Sequence, residues 1–370
     1  MDEMNEIVQP FKEGIHGHYR IVNINTASPR KPKGSVLIIY TGGTLGMAYD
    51  NDGALAPFNF ARILDKIPSL KEFDLHLTVI SFPKLIDSSN VSAEHWVDMA
   101  YIINENYNLY DGFVVVHGTD TMAYSASALS FLLNGLNKPV VFTGAQLPIA
   151  ARRSDARENF ITALEIASAR KDGIPLVPEV SIFFGDLLLR GNRSTKVESV
   201  HFDAFESYNY PRLAQTGVEI DYNLRAVQPY HPNGELTYFN RMDTNVALLK
   251  VYPGISRRFV ESILNIRGLR GVVVETFGSG NVPTSDFLLD SLADAVKKGM
   301  IILNISQCYG GRVIQGRYQT SKNLNAIGVI SGKDLTTEAA ITKMMYLLAK
   351  ENDHDQIRNL LQVPLRGEMI

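Results

Sequence analysis

The sequence predicts an α/β protein in two parts, a larger N-terminal part built on a mostly parallel sheet and a smaller C-terminal part of the same class. Three observations carry this. Short apolar runs recur along the chain and stop at glycine or small polar residues, as strands buried on both faces do. Stretches with apolar residues at helical spacing fall between those runs. Between about Tyr222 and Thr244 the alternation breaks at Pro229, Pro232, Asn233 and Gly234, and then it resumes.

In chain order, residues 1–34 are mixed and polar and read as an arm, whose basic end Pro29-Arg-Lys-Pro-Lys-Gly34 reads as a solvated tail. Ser35–Tyr40 is an apolar run stopped by Thr41-Gly-Gly43 and suits a buried strand. Leu77–Phe82 is strand-like, and Ala93–Tyr101 reads as a helix. Phe113–Val116 is a second buried strand, stopped by His117-Gly118. Thr121–Leu133 is a helix closed by Asn134-Gly135. Val140–Thr143 and Val180–Phe184 are further strands, with a helix at Arg157–Ala169 between them. Past the break, Ala247–Tyr252, Val272–Thr276 and Ile301–Ser306 read as strands, and Phe259–Ile266, Ser285–Lys298 and Thr336–Ala349 as helices. The expected organisation is an arm (1–34), a larger parallel-sheet α/β domain (35–221), a linker (222–244) and a smaller Rossmann-like α/β domain (245–370). No repeat at a short fixed period points to a solenoid.

Composition narrows the function classes. Of 370 residues, 45% are hydrophobic and 20% charged, a globular balance. A formal net charge of −3 gives no nucleic-acid footprint. A single cysteine, Cys308, excludes an intrachain disulfide and fits a reducing compartment. The opening Met-Asp-Glu-Met-Asn-Glu lacks a basic region followed by an apolar run, and no apolar run reaches the roughly 18 residues of a membrane span. A cytoplasmic protein with no membrane or nucleic-acid partner is therefore expected. No Cys/His ligand cluster or paired-histidine zinc motif occurs, so no metal is expected.

In open parallel sheets, ligands bind beyond the carboxyl ends of the strands. The loops there are Tyr40-Thr-Gly-Gly-Thr-Leu-Gly-Met47 and His117-Gly-Thr-Asp-Thr-Met122, each placing a threonine beside turn-forming glycine. Neither carries a phosphate-binding glycine–lysine pattern. Taken alone, the first reads as a glycine turn, and in the second Asp120 serves as a helix cap. Ile86-Asp-Ser-Ser-Asn90 taken alone is a turn into a helix, and Arg190-Gly-Asn-Arg-Ser-Thr-Lys196 a solvated basic loop. Together they supply chemistry. A threonine hydroxyl is a weak nucleophile that needs a base in hydrogen-bond reach and a group orienting that base. Thr119, Lys196 and Asp120 could fill these roles. A lysine acts as base only when neutral, and Asp120 opposes that form.

These four segments, in this order and spacing, resemble those of the bacterial-type L-asparaginases, most nearly the cytoplasmic type I enzymes. Tyr252-Pro-Gly-Ile255 and Phe277-Gly-Ser-Gly-Asn281 extend the resemblance, which spans roughly residues 35 to 366. It implies hydrolysis of L-asparagine to aspartate and ammonia in two steps. Thr44 would be the primary nucleophile and form an aspartyl ester, which water then hydrolyses. Thr119, Asp120 and Lys196 would form the second catalytic cluster. Asp120 would also hold the substrate α-ammonium and Ser88 its α-carboxylate, with Asp87 and Ser89 lining the pocket. No metal or organic cofactor is implied, and a homodimer or homotetramer is.

Two positions depart from the family pattern. A tyrosine usually follows the first glycine turn on a mobile loop, where this chain has Ala54 in Asp52-Gly-Ala-Leu55, and Tyr49 is the candidate substitute. An arginine that binds effector asparagine in some type I enzymes is matched by Glu275, although Thr195 and Cys308 remain at neighbouring family positions. An acid there argues against the same effector site. The rival readings are a glutaminase, a subunit of a tRNA-dependent amidotransferase, and a non-catalytic amino-acid sensor. The last needs no paired nucleophile and base.

Overall fold

The computed structural model describes residues 6–7, 19–26, 30–49, 55–57, 67–283, 286–314 and 319–370. Its first long strand lies within the segment expected as an arm. Arg20–Asn25 (β1) pairs antiparallel with Leu75–Ile86 and buries Val22 and Ile24, beside a buried Tyr19. The alternation of apolar and polar residues in Arg-Ile-Val-Asn-Ile-Asn is that of a half-buried antiparallel strand. The basic run after it is anchored as well, since Arg30 and Lys33 pair with Asp74 at 2.6 and 3.0 Å.

The centre of the sheet is parallel. Gly34–Gly42 (β2) lies between Leu75–Ile86 (β3) and Gly112–Val116 (β4), and Val140–Thr143 (β5) and Val180–Phe184 (β6) follow outward. Val36–Tyr40 and Phe113–Val116 are fully buried, as their unbroken apolar runs require. Ala93–Asn106 (α1), Met122–Leu132 (α2) and Ala156–Ser168 (α3) are the connecting helices. Strand order across the core is β3-β2-β4-β5-β6, so the chain leaves β2 to one side and returns on the other at β4. That reversal is a topological switch point.

Beyond β6 the sheet turns antiparallel through Leu187–Arg190 (β7), Ala214–Thr216 (β8) and Ile220–Tyr222 (β9). The mostly parallel expectation therefore holds for the centre and not for the flanks. With the short Glu6–Ile7 at the other edge, the sheet has ten strands among the described residues.

Two compact units emerge, residues 1–207 with 211–240, and 208–210 with 241–370. Much of the expected linker lies in the first unit. Thr237–Tyr238 pairs with Leu133–Asn134, directly after α2.

The second unit carries four parallel strands in sequential order, Val246–Lys250 (β10), Gly271–Thr276 (β11), Ile301–Ser306 (β12) and Ile330–Ser331 (β13). Arg257–Leu264 (α4), Asp286–Lys297 (α5) and Gln319–Ala326 (α6) bury Val260, Leu288, Leu292 and Leu324 against Val272, Val274 and Ile302. Thr337–Lys350 (α7) lies on the other face, where Met344 is so close that Gly271 has no room for a side chain. His354–Leu361 (α8) is the last helix among the described residues of the unit.

Candidate active site

The turns after β2, β3 and β4 meet at the switch point. Gly43 has φ +87°, and a Cβ there would sit 2.6 Å from the amide nitrogen of Gly118. A Cβ on Gly118 would in turn sit 2.6 Å from Ser88 Oγ. Only glycine fits both places, and so three loops come into backbone contact. Thr41 Oγ1 donates to Val116 O at 3.0 Å, tying the ends of β2 and β4 together. Thr121 Oγ1 donates to Ser88 O at 2.7 Å and adds the turn after β3.

Thr44 opens a tight turn, Thr44–Gly46, directly after Gly43. The turn is held from beneath by Tyr40, whose hydroxyl donates to Gly46 O at 2.8 Å and whose phenol burial pushes well above its ordinary pKa. The Thr44 hydroxyl has no hydrogen-bond partner among the described residues. Thr44 and Thr119 each follow one of the two glycines in contact. Ala54 lies outside the described residues, and only the backbone of Tyr49 lies within them, in Met47–Tyr49.

Lys196 arrives on the segment that follows β7. Its Nζ donates to Thr119 Oγ1 at 2.8 Å and to Asp120 Oδ1 at 2.7 Å. Thr119 donates its own proton toward Gln146 Oε1 at 3.4 Å, so its hydroxyl stands between a cation and an amide oxygen. Asp120 is 63% exposed and Lys196 17%, which leaves the carboxylate open to a ligand. On the neighbouring turn Ser88 is 3% exposed. Asp87 caps that turn by accepting from Ser89 N at 3.0 Å, and both flanking side chains are exposed.

The loop that delivers Lys196 is not the solvated basic loop it resembles in isolation. Arg190 and Arg193 are 4% and 2% exposed. Arg190 pairs with buried Glu179 at 2.6 Å and donates to Ala226 O. Gly191 packs on Ala126 of α2, and Ser194 donates back to Arg190 O at 2.7 Å. Thr195–Lys196 then pairs with Phe205–Glu206, which fixes the stem of the lysine.

Thr119, Asp120, Lys196, Ser88 and the Thr44 turn are thus gathered beyond the carboxyl ends of the central strands. Two polar participants were missed in the sequence. Gln146 follows Gly144 at the end of β5, so the rule that singled out the other loops would have found it. His117 stands inside a quoted segment, but nothing in the sequence distinguishes it from a buried core histidine. Among the described residues, no group of three or more His, Cys, Asp or Glu side chains could hold a metal ion. No helix among them is long and apolar enough to cross a membrane.

Residues 35–228 match the family described as Asparaginase, N-terminal, and residues 245–361 match the one described as Glutaminase/Asparaginase C-terminal domain. The chain is 39% identical to L-asparaginase 1 of Escherichia coli K12, over 91% of this chain and 98% of that one. It is 41% identical to a 60 kDa lysophospholipase of Mus musculus, over 91% of this chain and 63% of the longer relative. The crystal structure of L-asparaginase I from Vibrio cholerae superimposes with a TM-score of 0.81 at 37% identity, covering 91% of this chain and 99% of that one. With both family patterns matched in order across most of its length, the chain belongs to the asparaginase family.

Proposed function

We propose that the protein hydrolyses L-asparagine to L-aspartate and ammonia through an ester on Thr44. Asp120 takes the α-ammonium, the buried Ser88 takes the α-carboxylate, and Asp87 and Ser89 close the pocket around them. Thr44 Oγ attacks the side-chain amide carbon, its proton passes to the leaving nitrogen, and ammonia departs. Water then adds to the aspartyl ester, and cleavage of the Thr44 Oγ–carbon bond returns the hydroxyl and releases aspartate. Thr119 and Lys196 handle protons at the reacting centre, and no cofactor takes part. A cytoplasmic homodimer or homotetramer belongs to the same reading.

The observation that carries this proposal is the pair of hydrogen bonds from Lys196 Nζ to Thr119 and Asp120, beside the turn that presents Thr44. A threonine nucleophile needs such a proton-handling group held in place. A second reading, glutamine hydrolysis, is favoured by the matched C-terminal family, whose description names both activities. The two substrates differ by one methylene, worth roughly 1–3 kcal/mol of discrimination.

Ammonia release from each amide decides between them. With asparagine, Thr44→Ala is expected to lose roughly 10³-fold or more of the rate. Thr119→Ala should lose about 10²–10⁴-fold, as expected for a lost proton-transfer partner. Full activity in both variants would exclude a two-threonine site. A faster wild-type rate with glutamine would exchange the substrate, and no ammonia from either amide would leave the sensor or amidotransferase-subunit readings.

A further inference from the structure

Behind the Thr119 turn runs a buried line of side chains that the hydrolytic steps do not use. Trp96 Nε1, on α1, lies 2.9 Å from Ser125 Oγ on α2. Ser125 Oγ lies 2.9 Å from His117 Nε2. His117 Nδ1 lies 2.7 Å from Gly118 O. All three side chains are buried, and Ser125 and His117 almost completely.

The two ends of this line fix the direction of every bond in it. An indole N–H only donates, and a carbonyl oxygen only accepts. Nδ1 must therefore carry a hydrogen to bond Gly118 O. A neutral imidazole then leaves Nε2 as an acceptor, and the Ser125 hydroxyl donates to it while accepting from Trp96. Burial, aided by nearby His95, pushes the His117 pKa down to about 4 against the raising effect of the Gly118 bond, so the ring is neutral near pH 7. Phe142 packs edge-on against the ring, with centroids 5.9 Å apart.

The target of this chain is the weak point of the loop. Gly118 has to be glycine because Ser88 leaves no room for a Cβ, and glycine does not hold its own backbone in one conformation. The bond from His117 to Gly118 O fixes the plane of the peptide that leads into Thr119.

We propose that Trp96, Ser125 and His117 are positioning residues, a one-directional hydrogen-bond chain that orients the Gly118–Thr119 peptide and so aims the Thr119 hydroxyl at Lys196 and the reacting centre. This deepens the asparagine-hydrolysis reading and rests on it for its kinetic consequence. His117 acts through Gly118 and touches neither the substrate nor a transferred proton.

The test pairs kinetics with nitrogen NMR on the full-length protein labelled with ¹⁵N-histidine. In the wild type, one neutral histidine with hydrogen on Nδ1 is expected, unchanged from pH 8 to 5 and absent from a His117→Gln control. Ser125→Ala should keep the hydrogen on Nδ1, held by Gly118 O, but shift the Nε2 resonance, because that nitrogen loses its donor. Its kcat for asparagine should fall about 10- to 10²-fold, the scale of a misplaced catalytic group, with KM within about twofold because Ser88 and Asp120 are untouched. Ser125→Thr, which keeps a hydroxyl, should regain most of the loss, and Trp96→Phe should fall between. Wild-type kcat in an active Ser125→Ala enzyme, or a His117 ring protonated on Nε2, would overturn the proposal. A wild type that releases no ammonia would overturn the asparaginase reading instead, and the tautomer would still decide whether the chain of bonds exists.

Discussion

Thr44, Thr119, Asp120 and Lys196 could be named from the sequence, but nothing in it shows why they meet. The cause lies in residues that do no chemistry. Gly43 holds φ +87° and has the amide of Gly118 where a Cβ would stand. Gly43→Ala is therefore expected to cost about 3 kcal/mol from backbone strain and overlap together, and to lose activity with it. Urea unfolding measures the first effect and ammonia release the second. An unchanged midpoint would mean that the two loops separate without penalty. The glycines were legible as turn formers, whereas their partners were not, because a close approach between segments about 75 residues apart leaves no local pattern. The same holds for His117, whose environment is built by α1, α2 and β5.

At the level of elements, the central strands and the helices beside them were readable because burial on both faces demands continuous apolar runs. The flanks were not. Leu187–Arg190 continues directly from the β6 hairpin, and its apolar run is interrupted by the arginine that later proves buried. Arg190 and Glu179 are an ion pair with both side chains 5–7% exposed, so sequence polarity pointed to solvent where the structure has interior. Removing one partner strands a buried charge, at a cost of about 3–5 kcal/mol. Arg190→Met should lose that much in equilibrium unfolding, and activity as well, since the segment from Arg190 carries Lys196. The double variant Arg190→Met, Glu179→Leu should recover a large part of the stability. No recovery would place the cost in the lost contacts to Ala226 O and Gln228 N instead.

Each unit of the whole molecule closes on its own core, and the second has its own buried ion pair. Lys343 and Glu368 meet at 2.7 Å with no exposure, and Glu368 accepts from the backbone of Leu365 and Arg366, so the chain end is built into the interior. In the same unit Glu275 is already engaged, accepting from Thr337 at 2.6 Å with Lys250 at 3.4 Å. A carboxylate satisfied within the chain, where a cation would be needed to hold an amino-acid effector, supports unregulated kinetics. Rate against asparagine concentration is expected to be hyperbolic. A sigmoidal curve that Glu275→Gln leaves in place would reveal an effector site elsewhere in the protein.

The strand Arg20–Asn25 also bears on how the protein is made. Its partner in the sheet is translated about 60 residues later, an interval of about 3–12 s at ordinary rates of synthesis. Through that time the strand, with Val22 and Ile24 on its buried face, waits for a partner that has not been made. The nascent chain therefore carries unpaired apolar groups during this interval, and a chaperone that holds the segment would shield them from aggregation.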